Sequence, residues 1–404
     1  MNISGPILEE HFFWDNRNEE IPFCECEPVA EEAKLPNITI ILIFLPLLSF
    51  CGICCNAISI LIFTKRSKTT SNSNIYLAGL SLSDIGVCCS GVFIITADSL
   101  RGYFPEFNEI FAHLIPFLVP VGLIFQMLSV YITILVSFDC YIYIITSKEY
   151  INENTNSGIF RILSYNFLKK YSTIKVCSFK SLIGTAIFVF LYNIVTFWEL
   201  TSIKCYDKTS NQLKFEVCPT SMRINEEYVK FYKGYLYSFF MAGFPFFVLS
   251  LLTIGIIKEM KSKSKLSMTI SNQLKNSVNI HSQLLLHNRK TSIRHIFAKS
   301  NEIDEKNESS PVMLVMVVIL FLLCNMVSLI VNYLETTEDL ISFSFQMILI
   351  DVANFLVVFN ATANFFIYTF FSKSYRKRLK EVFSCSSNFN HETNNEESLE
   401  ISKV

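Results

Sequence analysis

The sequence predicts an all-α membrane protein, a seven-transmembrane helix bundle. Three observations predict it. Seven apolar runs each reach the length of about 20 residues that a helix needs to cross a bilayer. Charged residues make up 17% of the chain, where a soluble domain carries about 25%, and the mean hydropathy is +0.39. Lys and Arg gather in every second loop, as the positive-inside rule requires of a chain that crosses a membrane repeatedly.

The N-terminal segment, residues 1–37, holds no apolar core of the kind a cleavable signal needs. It carries nine acids against Arg17 and Lys34. The runs follow near 38–63, 75–96, 112–138, 175–198, 231–257, 311–334 and 343–371. Each has to close its own backbone hydrogen bonds in lipid, which a helix does. The period-2 alternation of barrel strands is absent. Lys65, Arg66 and Lys68 fill the first loop, and ten Lys/Arg against five acids fill the fifth, about 258–310. The sixth has Glu335, Glu338 and Asp339 and no base. Five bases lie between Lys373 and Lys380. This places the N-terminus outside and the C-terminus in the cytosol. Residues 1–37 then form an extracellular segment, 38–371 the bundle, and 372–404 an amphipathic helix and cytosolic tail. The Ser/Lys/Asn-rich fifth loop reads as largely disordered. Its basic start, and the basic segment after Phe371, suit an anionic lipid surface. No nucleic-acid partner is expected. The plasma membrane is the expected location.

Asn2-Ile-Ser4 and Asn37-Ile-Thr39 fit the glycosylation pattern on the outer side, and Asn37 lies too near the first span for use. Four of 13 cysteines, Cys24, Cys26, Cys205 and Cys218, face the oxidising side. The preferred bridge is Cys205–Cys218, closing a hairpin, with a bridge from that loop to the N-terminal segment as the alternative. Cys385 follows the basic segment and Phe383, a place for palmitoylation.

An enzyme is not indicated. Phosphate-loop, nucleophile-elbow and zinc-ligand spacings are all absent. The chemistry lies inside the spans. Asp84 is the one acid in the middle of the second run, and a lone buried carboxylate has to be paired, protonated or bound to a cation. Asn56, Ser129, Asn360 and Asn364 lie at comparable depth, the last two at i and i+4 on one helix face. They offer neutral oxygens to a small cation such as sodium. Equally they serve as interhelical hydrogen bonds worth roughly 1 kcal/mol each.

These residues, in order, carry a resemblance. Asn56, Leu80-x-x-x-Asp84, Asp139-x-Tyr141, Pro245 and Asn364-x-x-x-Tyr368 on seven spans resemble the rhodopsin-like G-protein-coupled receptors. Pro116 through Thr133, Pro219 through Arg223 and Val357 through Tyr368 are similar to invertebrate FMRFamide-receptor-like peptide receptors. The resemblance covers roughly 38–385. It implies an extracellular amidated peptide as ligand and a heterotrimeric G protein as partner. It implies no catalytic cofactor, an allosteric sodium ion at Asp84, Ser129, Asn360 and Asn364, and a short amphipathic eighth helix over Lys373–Phe383. Asp139, Cys140, Tyr141 and Tyr368 match the activation switch.

The departures are as informative. Cys140 stands where such receptors carry Arg, and cannot replace its fixed fork of donors. Ile115 stands where most keep a disulfide cysteine, and Asn325 and Val327 where the sixth span has Trp and Pro. A peptide ending in Arg-Phe-amide needs an anion and an aromatic cleft. Asp351 is the first candidate for the anion and Glu199 the second, with Asp98, Glu335 and Asp339 behind them. Asn354, one turn below Asp351, is the candidate for the amide, and Trp198, Tyr235 and Phe239 for the walls. The alternative function is a decoy, internalising or partner-dependent receptor that couples weakly because of Cys140. A transporter is disfavoured by the lack of an internal repeat.

Overall fold

The computed structural model describes residues 12–14, 20–22, 37–65, 72–101, 108–153, 175–207, 212–277, 311–336 and 343–383. Among these, seven helices are long and apolar enough to cross a membrane: Ile38–Thr64, Ser73–Thr96, Glu109–Ile145, Ser178–Trp198, Glu226–Lys265, Pro311–Ser328 and Phe345–Phe371. They match the seven expected runs. An eighth helix, 373–383, follows a single non-helical residue, Ser372. The Ser372 hydroxyl caps it by accepting from the Tyr375 amide at 3.2 Å. The side of the bundle where residues 37, 101, 199 and 343 lie is called here the N-terminal face, and the side of Thr64, Glu153 and Phe371 the C-terminal face.

The third span is central and packs against the second, fourth, fifth and sixth, while the first lies on the second and seventh. Close approach depends on small residues. A Cβ on Gly86 would strike the Phe125 ring across the second and third spans, and one on Gly52 would strike Thr362 and Cys88. Apolar clusters fill the gaps. Ile41, Leu45, Val87 and Val358 sit toward the N-terminal face. Ile62, Phe63, Leu77, Leu80, Val136, Cys140 and Tyr368 sit toward the C-terminal face.

Prolines leave a signature in the helices. Pro46 follows a π-helical stretch, Ile38–Phe44, and Pro245 follows another, Phe239–Gly243. A proline clashes with the carbonyl four residues back and donates nothing to it, and a wider turn relieves both. Pro116 and Pro120 lie inside the third helix without ending it.

Two expectations are corrected, and one element was not foreseen. The α-helical part of the fifth span runs Phe244–Ser277, so the start of the loop placed at 258–310 is helical. From Ile256 to Ser277 there is no Gly or Pro to stop it. The N-terminal segment holds a short antiparallel hairpin, β1 (Phe12–Trp14) with β2 (Glu20–Pro22). The second outer loop is the expected hairpin, β3 (Leu200–Asp207) with β4 (Gln212–Pro219), but its register forbids the preferred bridge. Cys205 lies opposite Lys214, and Cys218 opposite Thr201. The two cysteines are thus four residues apart along the ladder, about 13 Å, against the roughly 7 Å that a disulfide spans. Cys205 is disulfide-bonded, its partner lies outside the described residues, and β2 packs beside β3. Cys24 and Cys26 lie outside the described residues.

Candidate functional site

Asp84 is fully buried at mid-bundle. Ser129 of the third span donates to its Oδ1 at 2.7 Å, and Asn364 of the seventh donates to its Oδ2 at 2.8 Å. The carboxylate therefore joins three helices. Asn56 does not take part: its amide donates to the Gly52 and Ala361 carbonyls, both at 3.0 Å, tying the first span to the seventh. Asn360 makes no hydrogen bond to Asp84. The Oδ1 atoms of Asn360 and Asn364 are buried without a hydrogen-bond partner. The Asn364 acceptor lies beside the carboxylate and the Asn360 acceptor one turn away on the same helix, hard oxygens of the kind that fit a small cation.

Toward the C-terminal face, Asp139 accepts from Ser73 at 2.5 Å. Cys140 is buried among Ile62, Phe63, Leu77, Leu80, Val136 and Tyr368. Tyr141 lies against Gly255 of the fifth span. Tyr368 is fully buried, its hydroxyl has no partner, and its ring packs on Phe63 at 5.4 Å and Tyr375 at 5.6 Å. Tyr375 belongs to the eighth helix and reaches Ser59 of the first span at 2.8 Å. The Ser59 proton goes to the Cys55 carbonyl at 3.0 Å, so the tyrosine is the donor. Burial pushes the Tyr375 phenol up to about 12, so the donor keeps its proton. Arg376 donates to the Thr369 and Phe370 carbonyls, which end the seventh span, at 2.9 and 2.7 Å.

Toward the N-terminal face a cavity of about 150 Å³ opens between the second, third and seventh spans. Its lining is apolar except for Ser90, Gln126 and Asn354, and carries no ionisable side chain. Asp351 lies one turn above Asn354 and accepts from Asn37 at 3.1 Å. No cationic partner of Asp351 is found among the described residues. Sequence reasoning singled out Asn354 and missed Gln126. The signal was the same, one amide in an apolar run.

The remaining candidates are corrected. Glu199 is buried and already satisfied: Lys233 lies at 2.7 Å, Arg223 at 3.8 Å, and the Tyr228 hydroxyl donates to it at 2.6 Å. It has no charge to spare for a ligand cation. Trp198, Tyr235 and Phe239 are 62%, 64% and 54% exposed, and none of them lines the cavity between the second, third and seventh spans. The inward aromatic packing belongs instead to Tyr192, Tyr232 and Phe240, with ring centroids 5.4–5.6 Å apart. Asn2 and Cys385 lie outside the described residues, as do the Asp98, Glu335 and Asp339 side chains.

With this geometry in view, the comparisons with known proteins converge. The model of a family described as serpentine type 7TM GPCR chemoreceptor Srw matches residues 43–386. The chain is similar to a Caenorhabditis elegans protein named probable G-protein coupled receptor frpr-1, 28% identical over 360 residues, 89% of this chain and 82% of that one. It is also similar to the FMRFamide receptor of Drosophila melanogaster, 22% identical over 336 residues, 82% of this chain and 51% of that one.

Proposed function

Because the chain belongs to the serpentine type 7TM GPCR chemoreceptor Srw family, and so is a multi-pass membrane receptor rather than an enzyme, we propose that its ligand is an extracellular, amidated, FMRFamide-like neuropeptide. In this reading it is a rhodopsin-like receptor of the plasma membrane, with the N-terminal face outside. A heterotrimeric G protein takes the signal at the C-terminal face. The observation that carries the reading is a carboxylate, Asp351, without a cationic partner among the described residues and one turn above a neutral cavity lined by two amides. Such a half-buried carboxylate favours a cation from the ligand. A cavity of about 150 Å³ holds one aromatic ring, and Asn354 and Gln126 offer donors and acceptors to a carboxamide. Arginine, a ring and an amide in succession satisfy all three. The name of the Drosophila melanogaster relative, FMRFamide receptor, points the same way.

Asp84, Ser129, Asn360 and Asn364 would hold a sodium ion, which supplies positive charge to the carboxylate. The chain's own residues carry the motion. Asp351, Asn354, Asn364 and Tyr368 lie on one helix, so a ligand drawing on the first two works on the contacts of the last two. Tyr368 has a packed ring and a buried hydroxyl without a partner, a cost to its present seat that movement of the helix would relieve. A glycan at Asn2 outside and a palmitoyl group at Cys385 inside complete the proposed topology.

The buried thiol of Cys140 favours a second reading, a decoy, internalising or partner-dependent receptor. A library of amidated peptides, screened by calcium and cAMP response on wild type and Cys140→Arg, tests both. A response of wild type supports the first reading. A response of the Arg variant alone supports the second, and silence of both removes the peptide.

A further inference from the structure

Asn37 precedes the first span and lies outside the family-matched residues. The sequence marks it as a glycan acceptor too near the membrane for use, and the structure gives it other work. Its side chain is 8% exposed. Its Nδ2 donates to Asp351 Oδ2 at 3.1 Å and reaches Ser99 Oγ at 3.5 Å. Its Oδ1 is buried and has no hydrogen-bond partner. The amide cannot turn to relieve this, because Oδ1 facing the carboxylate would set two acceptors against each other. An open acceptor therefore lies beside a carboxylate that lacks a cation among the described residues.

We infer that Asn37 and Asp351 together form the seat of one cationic, multi-donor group of the ligand, a guanidinium. The carboxylate takes the charge and one N–H. Asn37 Oδ1 takes another N–H from the same planar fork. A guanidinium presents five donors in fixed directions and serves both acceptors, whereas an ammonium concentrates its three on one nitrogen. Asn37 thus sets preference for arginine over lysine, while Asp351 sets preference for cation over neutral group. This rests on the peptide-receptor reading and names the part of the chain that reads the cation.

The test uses full-length receptor in cells and three peptides alike except for Arg, Lys or citrulline at one position. Wild type is expected to favour Arg over Lys by about tenfold, one hydrogen bond's worth, and either over citrulline. Asn37→Ala is expected to abolish the Arg-over-Lys preference and keep the preference over citrulline. Asp351→Asn is expected to abolish both, with Asn37→Ala adding nothing to it. Asn37→Ser keeps a small polar side chain that is too short to offer the second acceptor, and gives the same loss should Asn37→Ala not reach the surface. Thr39→Val removes the glycan signal alone and is expected to change neither response nor glycosidase-sensitive mobility. An unaltered Arg-over-Lys ratio in both Asn37 variants overturns the inference and leaves the receptor reading standing, as does a glycan that Thr39→Val removes. Wild type silent to all three peptides and to the wider library overturns both.

Discussion

Asp84 and Asp139 are both carboxylates on helices of one bundle, and the fold treats them in opposite ways. Asp84 is fully buried and has both oxygens occupied, from two different helices. Asp139 is half-buried and has one serine, from the neighbouring second span, with a buried thiol as its next residue. The first site is a structural centre, because its loss would orphan donors on two helices at once. The second stands at the C-terminal edge, where one hydrogen bond and apolar packing suffice and the charge on residue 140 is dispensable to the fold. A bundle can therefore keep its centre and still differ where a signalling partner would dock.

Three variants break or sharpen that contrast. Asp84→Ala is expected to cost most, about 2–5 kcal/mol, since Ser129 and Asn364 are both left with buried, unpaired groups. Thermal melting of the purified receptor measures it, and a loss near zero would make Asp84 no more central than Asp139. Cys140→Arg forces a long cation into a packed apolar seat and is expected to cost about 1–3 kcal/mol. It also supplies Asp139 with an adjacent cation, so nucleotide exchange on a purified G protein should rise. A variant that melts like wild type and exchanges no faster would show the seat to be indifferent. Tyr375→Phe removes one hydrogen bond to Ser59 while keeping the ring on Phe63 and Tyr368. It should cost about 1 kcal/mol and loosen the eighth helix, seen as faster amide exchange over 373–383. An unchanged exchange rate would assign the helix's anchoring to ring packing alone.

Much of the site was legible before any coordinates. Asp84, Ser129 and Asn364 stood out because polar groups are costly at membrane depth, and the cost is paid only where helices meet. The same rule found Asn354 and Asp351. It does not reach Trp198, Tyr235 and Phe239, because a ring is equally at home in lipid and in a cleft, and only the helix rotation decides. It failed for Glu199 because its cations, Arg223 and Lys233, lie 24 and 34 residues along the chain. Cys205 and Cys218 looked like partners until the strand register set them four residues apart.

The sequence by itself determined the number of spans and the depth of each polar group, because these follow from hydrocarbon thickness and the cost of an unpaired backbone. Only the tertiary structure decided which groups meet. Asn37 and Asp351 are 314 residues apart, and Asn364 and Asp84 are 280 apart. Hydropathy sets a residue's depth along its own helix. The rotation of that helix and its neighbours come from packing around it, down to the room left by Gly52 and Gly86, which no local pattern encodes.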